Sequence, residues 1–441
     1  MKVYDLIIVG AATSGLYLAR KMAKRGYTVK VIEKLPEEKA GTRMDIFHVT
    51  RTDFIKFDIP LVREGDPEWA FEFTDNHFSS PSNKYHINVD AETVGLHMKE
   101  YVALMAKLAR EAGAEIEYDA AFEEFTFSSG AISGIRYSTP DGIKEDKCKV
   151  AVDCSGIASA ARRALPNGYG VENFKIEDED LLFVLLRYAR FDGEQMNTFW
   201  LNMKSWYAPF SMDGKEKIIG TGASGSMEKV RREAEKLDGV SSHGEFELVK
   251  TEEGATPYRR PPYSLVADNF IAAGDAACLT KPDCGEGVTS SMVMLDIAAD
   301  VLHTALKQGR ADKEALWDIN CRYNRAQGAE FAMVRAFLTK FINTVTDDEL
   351  EYCFRNRIIF NETFLNNGDV TPKDAIQTVV KMIGGISRKG VSLKTVGAIV
   401  SGARLAFELR THYMNFPKNP EAFPVWASIA ERMWKKVGKV K

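Results

Sequence analysis

Two short stretches carry residue types that can grip a phosphate or tune a redox-active ring. In VGAATSGLYLARKMAKRGYTVKVIEK, Gly10, Ala12 and Gly15 have the spacing of a turn that opens a helix, and Glu33 closes the strand that follows. Glycine there lets backbone amides and a helix N-terminus approach a pyrophosphate, and a carboxylate at the end of the second strand suits a ribose. Ala12 stands where the middle glycine is usual; Thr13, Ser14 and Lys34 complete the same turn and strand end. Further on, GDAACLTKPDCGEGV puts Gly274 and Asp275 at the end of a short apolar strand, then Pro282, Cys284, Gly285, Gly287 and Val288 before a helix. An aspartate so placed can accept hydrogen bonds from a polyol. A glycine-rich helix start favours negative charge developing on an electron-rich ring edge.

The elements that must hold these residues are legible in the apolar periodicity. Asp5 to Val9 reads as a buried parallel strand, and Leu16, Ala19, Met22 and Ala23 share one face of the next helix, which Gly26 ends. KVAVDCSGIASAARRAL (149–165) is again strand, polar turn and helix, with Asp153, Gly156, Ser159 and Arg162 around the turn. Between these motifs, residues 181–223 alternate apolar and aromatic strands with turns at Asp192-Gly193 and Asp213-Gly214, which predicts an antiparallel sheet. AETVGLHMKEYVALMAKLAREAGAEI, after Asp90, predicts a helix. From about residue 330 the chain reads as helical, in AEFAMVRAFLTKFINTV, DAIQTVVKMIGG and LKTVGAIVSGARLAFELRTHYMNF. PKNPEAFP (417–424) reads as a linker before a last amphipathic helix, VWASIAERMWKKV.

With 441 residues the chain predicts two or three packed units. A net charge of −4, with 27% charged and 45% apolar residues, describes a soluble globular protein and gives no basic excess for nucleic acid. Cysteines 148, 154, 278, 284, 321 and 353 form no CxxC pair, which argues against zinc or an iron–sulfur cluster and for reduced thiols. No apolar run is long enough to cross a bilayer, and the start runs directly into a strand. A cytoplasmic protein is expected; the apolar helical faces near the C-terminus leave peripheral membrane contact open.

Three ordered motifs, the opening β-α-β unit, VDCSG with Ser159 and Arg162, and GDAA with KPDCGEG, resemble those of the glutathione-reductase-like flavoprotein superfamily. The branch is that of the aromatic hydroxylases, geranylgeranyl reductases and FixC-like electron-transfer oxidoreductases. The resemblance covers roughly residues 1 to 330. It implies an α/β protein: a glutathione-reductase-like FAD-binding fold with an antiparallel-sheet substrate domain and a helical C-terminal region. The expected division is 1–75, 100–175 and 262–330 for the discontinuous FAD-binding domain, 76–99 and 176–261 for the substrate domain, and 331–441 for the helical region. By the same resemblance Gly10, Ala12, Thr13, Ser14, Gly15, Glu33 and Lys34 hold the ADP half of FAD. Gly274 and Asp275 hold the ribitol side, and Pro282, Gly285, Gly287 and Val288 the ring. Arg43 is a further candidate for a phosphate or flavin contact. One departure is HINVD before the helix, where the family often carries an FAD-contacting arginine.

SWYAPFSMDGKEKIIGTG is similar to a geranylgeranyl-reductase segment of alternating aromatics and a proline, with altered spacing. It makes Trp206, Tyr207, Pro209 and Phe210 candidates for the substrate pocket. For C=C reduction a hydride reaches one carbon and a proton must reach the other. Cys284, expected to have a lowered pKa at a helix start, and His48 are the candidate donors. The reading is therefore an FAD-dependent reductase of an apolar, prenyl-type substrate, drawing electrons from NAD(P)H or a redox partner protein. The alternatives are a flavin-dependent monooxygenase of the aromatic-hydroxylase type and a non-catalytic prenyl-binding escort.

Overall fold

A computed structural model describes residues 2–42, 44–194, 198–200, 205–209, 215–240, 245–358, 380–381 and 384–438. Strand β1 (Val3–Val9) is a run of apolar residues with Leu6, Ile7 and Ile8 fully buried, as a strand covered on both faces requires. Helix α1 (Thr13–Lys24) crosses to β2 (Val29–Ile32), which lies parallel to β1 with Leu6 opposite Val29 and Val9 opposite Ile32. Leu16, Ala19, Met22 and Ala23 are all buried, so the helix face expected from spacing is the face that packs.

On its other side β1 pairs in parallel with Gly142–Asp153, and that strand pairs in parallel with Phe270–Ala272. Val9, Asp153 and Ala272 lie in one row across three neighbouring strands. Motifs separated by more than a hundred residues thus emerge at one sheet edge, at the carboxyl ends of the strands. That is where open α/β sheets bind ligands.

A second sheet has eight strands in the order Phe246–Pro257, Leu181–Phe191, Glu216–Ser224, Ser205–Pro209, Thr198–Trp200, Trp69–Ser79, His86–His97 and Ile46–Thr50. All its pairings are antiparallel except that of Thr198–Trp200 with Trp69–Ser79. Its outer strands meet: the Lys250 ammonium lies 2.8 Å from the Asp45 carboxylate, and the Asp45 amide donates to Glu252 at 3.0 Å. Register shifts in Trp69–Ser79 and Phe246–Pro257 mark bulges that bend the strands toward this closure. Ile46, Phe71, Leu186, Tyr188 and Ile218 fill the space inside the curl.

Two sequence expectations change. Residues 91–97 continue the strand His86–His97, and the helix starts at Met98. Pairing on both sides, to Trp69–Ser79 and to Ile46–Thr50, satisfies that backbone and outweighs the local helical pattern. Asp192-Gly193 does not join neighbouring strands either. Leu181–Phe191 is flanked by Glu216–Ser224 and Phe246–Pro257, and the next described strand lies beyond two others. Asp213-Gly214 falls outside the described residues, as does most of DAIQTVVKMIGG.

The C-terminal part is helical. Ala329–Ile342 packs along Leu393–Met414, and Phe423–Val437 closes over them through Trp426, which stacks on His412 and meets the Tyr413 and Phe416 rings. A π-helical turn, Asn324–Gly328, leads into the first of these helices. Among the described residues no helix is long and apolar enough to cross a membrane.

Candidate functional site

Gly10 has φ +110°, and a Cβ there would overlap the carbonyl of Cys154 on the neighbouring strand end. A Cβ on Gly15 would overlap the carbonyl oxygen of Gly10, so glycine is what lets α1 start this close to β1. Ala12 is the N-cap of α1 with φ −109°, a conformation any L-residue accepts, which explains why alanine serves in the middle position. Its methyl group cannot cap, and α1 has no side-chain cap. The helix therefore presents the amides of its first turn, including Thr13 and Ser14, at the sheet edge. Glu33, just past β2, accepts from the Ala11 amide at 2.9 Å and from the Leu35 amide at 3.0 Å. Lys34 beside it is exposed.

The third motif closes on the first. Gly274, at φ +61°, lies so near Ser14 that a Cβ would stand 2.8 Å from the Ser14 hydroxyl oxygen. A Cβ on Gly287 would stand 3.2 Å from Oδ1 of Asp275, which sets the aspartate against the start of the helix Val288–Lys307. The middle motif braces both. Asp153 is fully buried and accepts from the Ser155 and Arg162 amides at 2.8 and 2.6 Å, while burial raises its pKa. The buried Arg162 guanidinium donates to the carbonyls of Ala276, Glu172 and Phe174, tying the turn that carries Asp275 to the neighbouring strand end.

The loop before Val288 is ordered by Glu286, a residue of KPDCGEG to which the sequence pattern alone gives no role. Glu286 accepts from the Thr289 amide and hydroxyl, both at 2.7 Å, and pairs with Lys281 at 2.9 Å. Glutamate just ahead of a helix that needs an N-terminal acceptor was the available signal. Gly285 takes φ +77° within this loop, and Pro282 is buried.

Cys284 does not have the expected lowered pKa. Its side chain is exposed at the loop surface, and desolvation by the surrounding loop, with Asp283 beside it, pushes the thiol up to about 12. The helix start that was to stabilise a thiolate lies four residues on and is already neutralised by Glu286. His48, on Ile46–Thr50, packs against Phe71 and Phe73 with ring centroids 5.6 and 6.3 Å away. Its buried Nε2 has no hydrogen-bond partner among the described residues, and burial pulls its pKa down to about 4 against the opposing pull of Glu286. Glu286 thus acts electrostatically on both candidate donors.

Trp206, Tyr207 and Pro209 belong to the strand Ser205–Pro209, inside the second sheet between Thr198–Trp200 and Glu216–Ser224. Arg43 and Phe210 lie outside the described residues.

The glycine cradle, the uncapped helix start, the bound-back carboxylate of Glu33 and the Asp275–Gly287 approach fit a dinucleotide whose second half carries a polyol and a ring. The FAD binding domain family matches residues 3–205. The digeranylgeranylglycerophospholipid reductase of Sulfolobus acidocaldarius is 24% identical over 442 residues, covering 96% of this chain and 95% of that one. The chain is an FAD-dependent oxidoreductase, similar along most of its length to geranylgeranyl reductases. Another relative, the digeranylgeranylglycerophospholipid reductase of Methanoculleus marisnigri, is 26% identical over 363 residues, covering 78% of this chain and 87% of its own. Among solved structures, a geranylgeranyl bacteriochlorophyll reductase-like protein from Thermoplasma acidophilum superposes with a TM-score of 0.75 at 17% identity, over 88% of this chain and 98% of its own. A flavin-dependent brominase shares the fold at a TM-score of 0.66 and 15% identity, over 99% and 100% of the two chains. The protein described here is an FAD-dependent reductase with a glutathione-reductase-like fold.

Proposed function

We propose that the protein reduces carbon–carbon double bonds of an apolar, prenyl-type lipid. The observation that carries this reading is the alignment along 96% of the chain with a relative named as a prenyl-lipid reductase. In it, the first-turn amides of α1 with Gly10, Ala12 and Gly15 receive the pyrophosphate, and Glu33 the ribose. Asp275 accepts from the ribitol, and Gly285, Gly287 and Val288 bring backbone and helix start to the ring edge. When bound, FAD supplies hydride from N5 of its reduced ring, fed by NAD(P)H or a protein donor.

The protein's own part is to hold the alkene and deliver a proton. A thiol pushed up to about 12 keeps its proton at neutral pH, whereas an imidazole pulled down to about 4 is not an imidazolium there. Cys284 is therefore the proposed donor, reprotonated from the solvent its side chain reaches, and His48 a neutral wall of the site. Trp206, Tyr207, Pro209 and Phe210 are the proposed lining for the apolar chain.

The test is product analysis. Dithionite-reduced holoprotein incubated without oxygen with geranylgeranyl lipids should give products that have gained two hydrogens for each bond reduced. Unchanged lipids with the flavin retained would contradict it, and aromatic hydroxylation on readmitting oxygen would favour the monooxygenase reading.

A further inference from the structure

Where the strand Phe246–Pro257 ends, the chain continues as Tyr258-Arg259-Arg260-Pro261-Pro262 and borders a small cleft. Its other walls come from the turn around Pro282 and from the π-helical turn and helix that carry Asn324 and Arg335. Three guanidinium groups line it. Arg259 pairs with Asp180 at 3.2 Å, and Arg260 makes a two-pronged pair with Glu172 at 2.8 Å on each arm. Arg335 differs. It donates to the Tyr258 carbonyl and lies 4.3 Å over the Tyr258 ring, but makes no ion pair among the described residues.

Three arginines against two carboxylates leave one positive charge in a crowded setting, and burial pulls the pKa of Arg335 down. A nearby anion would offset that cost. The Tyr323 hydroxyl, buried in the same lining, has no hydrogen-bond partner among the described residues. An unpaired guanidinium and an unused hydroxyl in one cleft are the donor set that a phosphate oxygen satisfies, and the planar fork of arginine matches phosphate well. The π-helical turn is a second sign, because such turns break the regular helical ladder and recur at functional sites.

We propose that this cleft binds the phosphate group of a phosphorylated substrate, with Arg335 and Tyr323 as its contacts and Arg259 and Arg260 as its electrostatic frame. The inference rests on the prenyl-lipid reading for what is attached to that phosphate. Position supports it: the Tyr258 hydroxyl donates to the Pro282 carbonyl at 2.8 Å, and Cys284 follows two residues later. An anionic head held in the cleft thus shares a wall with the loop proposed to face the flavin ring, and the apolar tail is left on that side. The same chemistry would hold either an ester phosphate of a lipid or free phosphate.

The experiment compares holoenzyme and the variants Arg335→Met and Arg335→Lys. Turnover is measured with geranylgeranyl phosphate and with geranylgeraniol, and binding of inorganic phosphate and pyrophosphate is measured by calorimetry. The expected result is that Arg335→Met lowers the ratio of kcat/KM for the ester over the alcohol by about tenfold or more, with Arg335→Lys in between. The ratio cancels any loss of folded protein. Pyrophosphate should bind the wild type and not Arg335→Met. Inorganic phosphate that binds as tightly as the ester would uphold the anion site and make free phosphate its occupant. Binding of pyrophosphate without reduction of either prenyl compound would uphold the site and overturn the proposed reaction. An unchanged ratio, with no anion bound by the wild type, would overturn the inference.

Discussion

The Ala11 amide donates to Oε2 of Glu33 at 2.9 Å, across 22 residues of sequence. This bond ties the end of β2 to the turn that opens α1, so the carboxylate proposed for the ribose and the turn proposed for the pyrophosphate are set as one unit. A ligand that binds both meets a site already in place.

Replacing Glu33 with Ala removes the acceptor for the Ala11 and Leu35 amides together with the ribose contact. Lost hydrogen bonds to a charged group cost about 1.5–3 kcal/mol each. We expect a folded protein whose Kd for FAD rises about tenfold to a hundredfold, measured by titrating apoprotein and following flavin fluorescence. Unchanged affinity would remove Glu33 from the site.

Gly15→Ala should strike harder, because its Cβ would meet a backbone oxygen that cannot turn away. Overpacking of this kind costs about 1–3 kcal/mol. A lower thermal midpoint and loss of bound flavin should appear together. Gly397→Ala is the control: it lies in the helix Leu393–Met414 with nothing within 4 Å of a new Cβ, and should stabilise by about 0.5–1 kcal/mol.

Glu349 links stability to acid. It accepts from the Thr346 and Ser392 amides and the Thr395 hydroxyl, and these bonds hold its pKa down to about 2 against an ordinary 4.5. A folded-state value below the unfolded one stabilises at higher pH, on the order of 3 kcal/mol, and that stability is lost as pH falls from about 4.5 toward 2. The gap in thermal midpoint between wild type and Glu349→Gln should be full at pH 6 and shrink steadily below pH 5. A gap independent of pH would contradict this.

Cys284→Ala should slow alkene reduction by about tenfold to a thousandfold while leaving reduction of the flavin by dithionite unchanged. Because the thiol is pushed up to about 12, the wild-type rate should not fall between pH 8 and 10 from loss of this proton, as it would for an ordinary thiol near 9. An alkaline limb in that range, absent from Cys284→Ala, would show that the thiol ionises normally.

The part of this site that repeats a local pattern was legible in the sequence. The β1–α1–β2 unit and the strand and helix around Gly274 and Val288 show their periodicity within a few turns. Leu16, Ala19 and Met22 pack as spaced. What depends on distant pairing was not. Residues 91–97 look helical until two flanking strands claim their backbone, and Asp45 meets Lys250 only because eight strands curl. The charge of Arg335 was visible, but its lack of a carboxylate follows from which helix face packs on Tyr258. Cys284 was misjudged in its acidity for the same reason, since crowding is a property of the fold.

The central claim is tested most directly by an anaerobic absorbance titration. Holoprotein is reduced with dithionite, and a geranylgeranyl lipid is added in the absence of oxygen. Return of the oxidised flavin band in step with consumption of double bonds is the predicted result. A flavin that stays reduced through excess alkene, and is reoxidised only when oxygen enters, would contradict it.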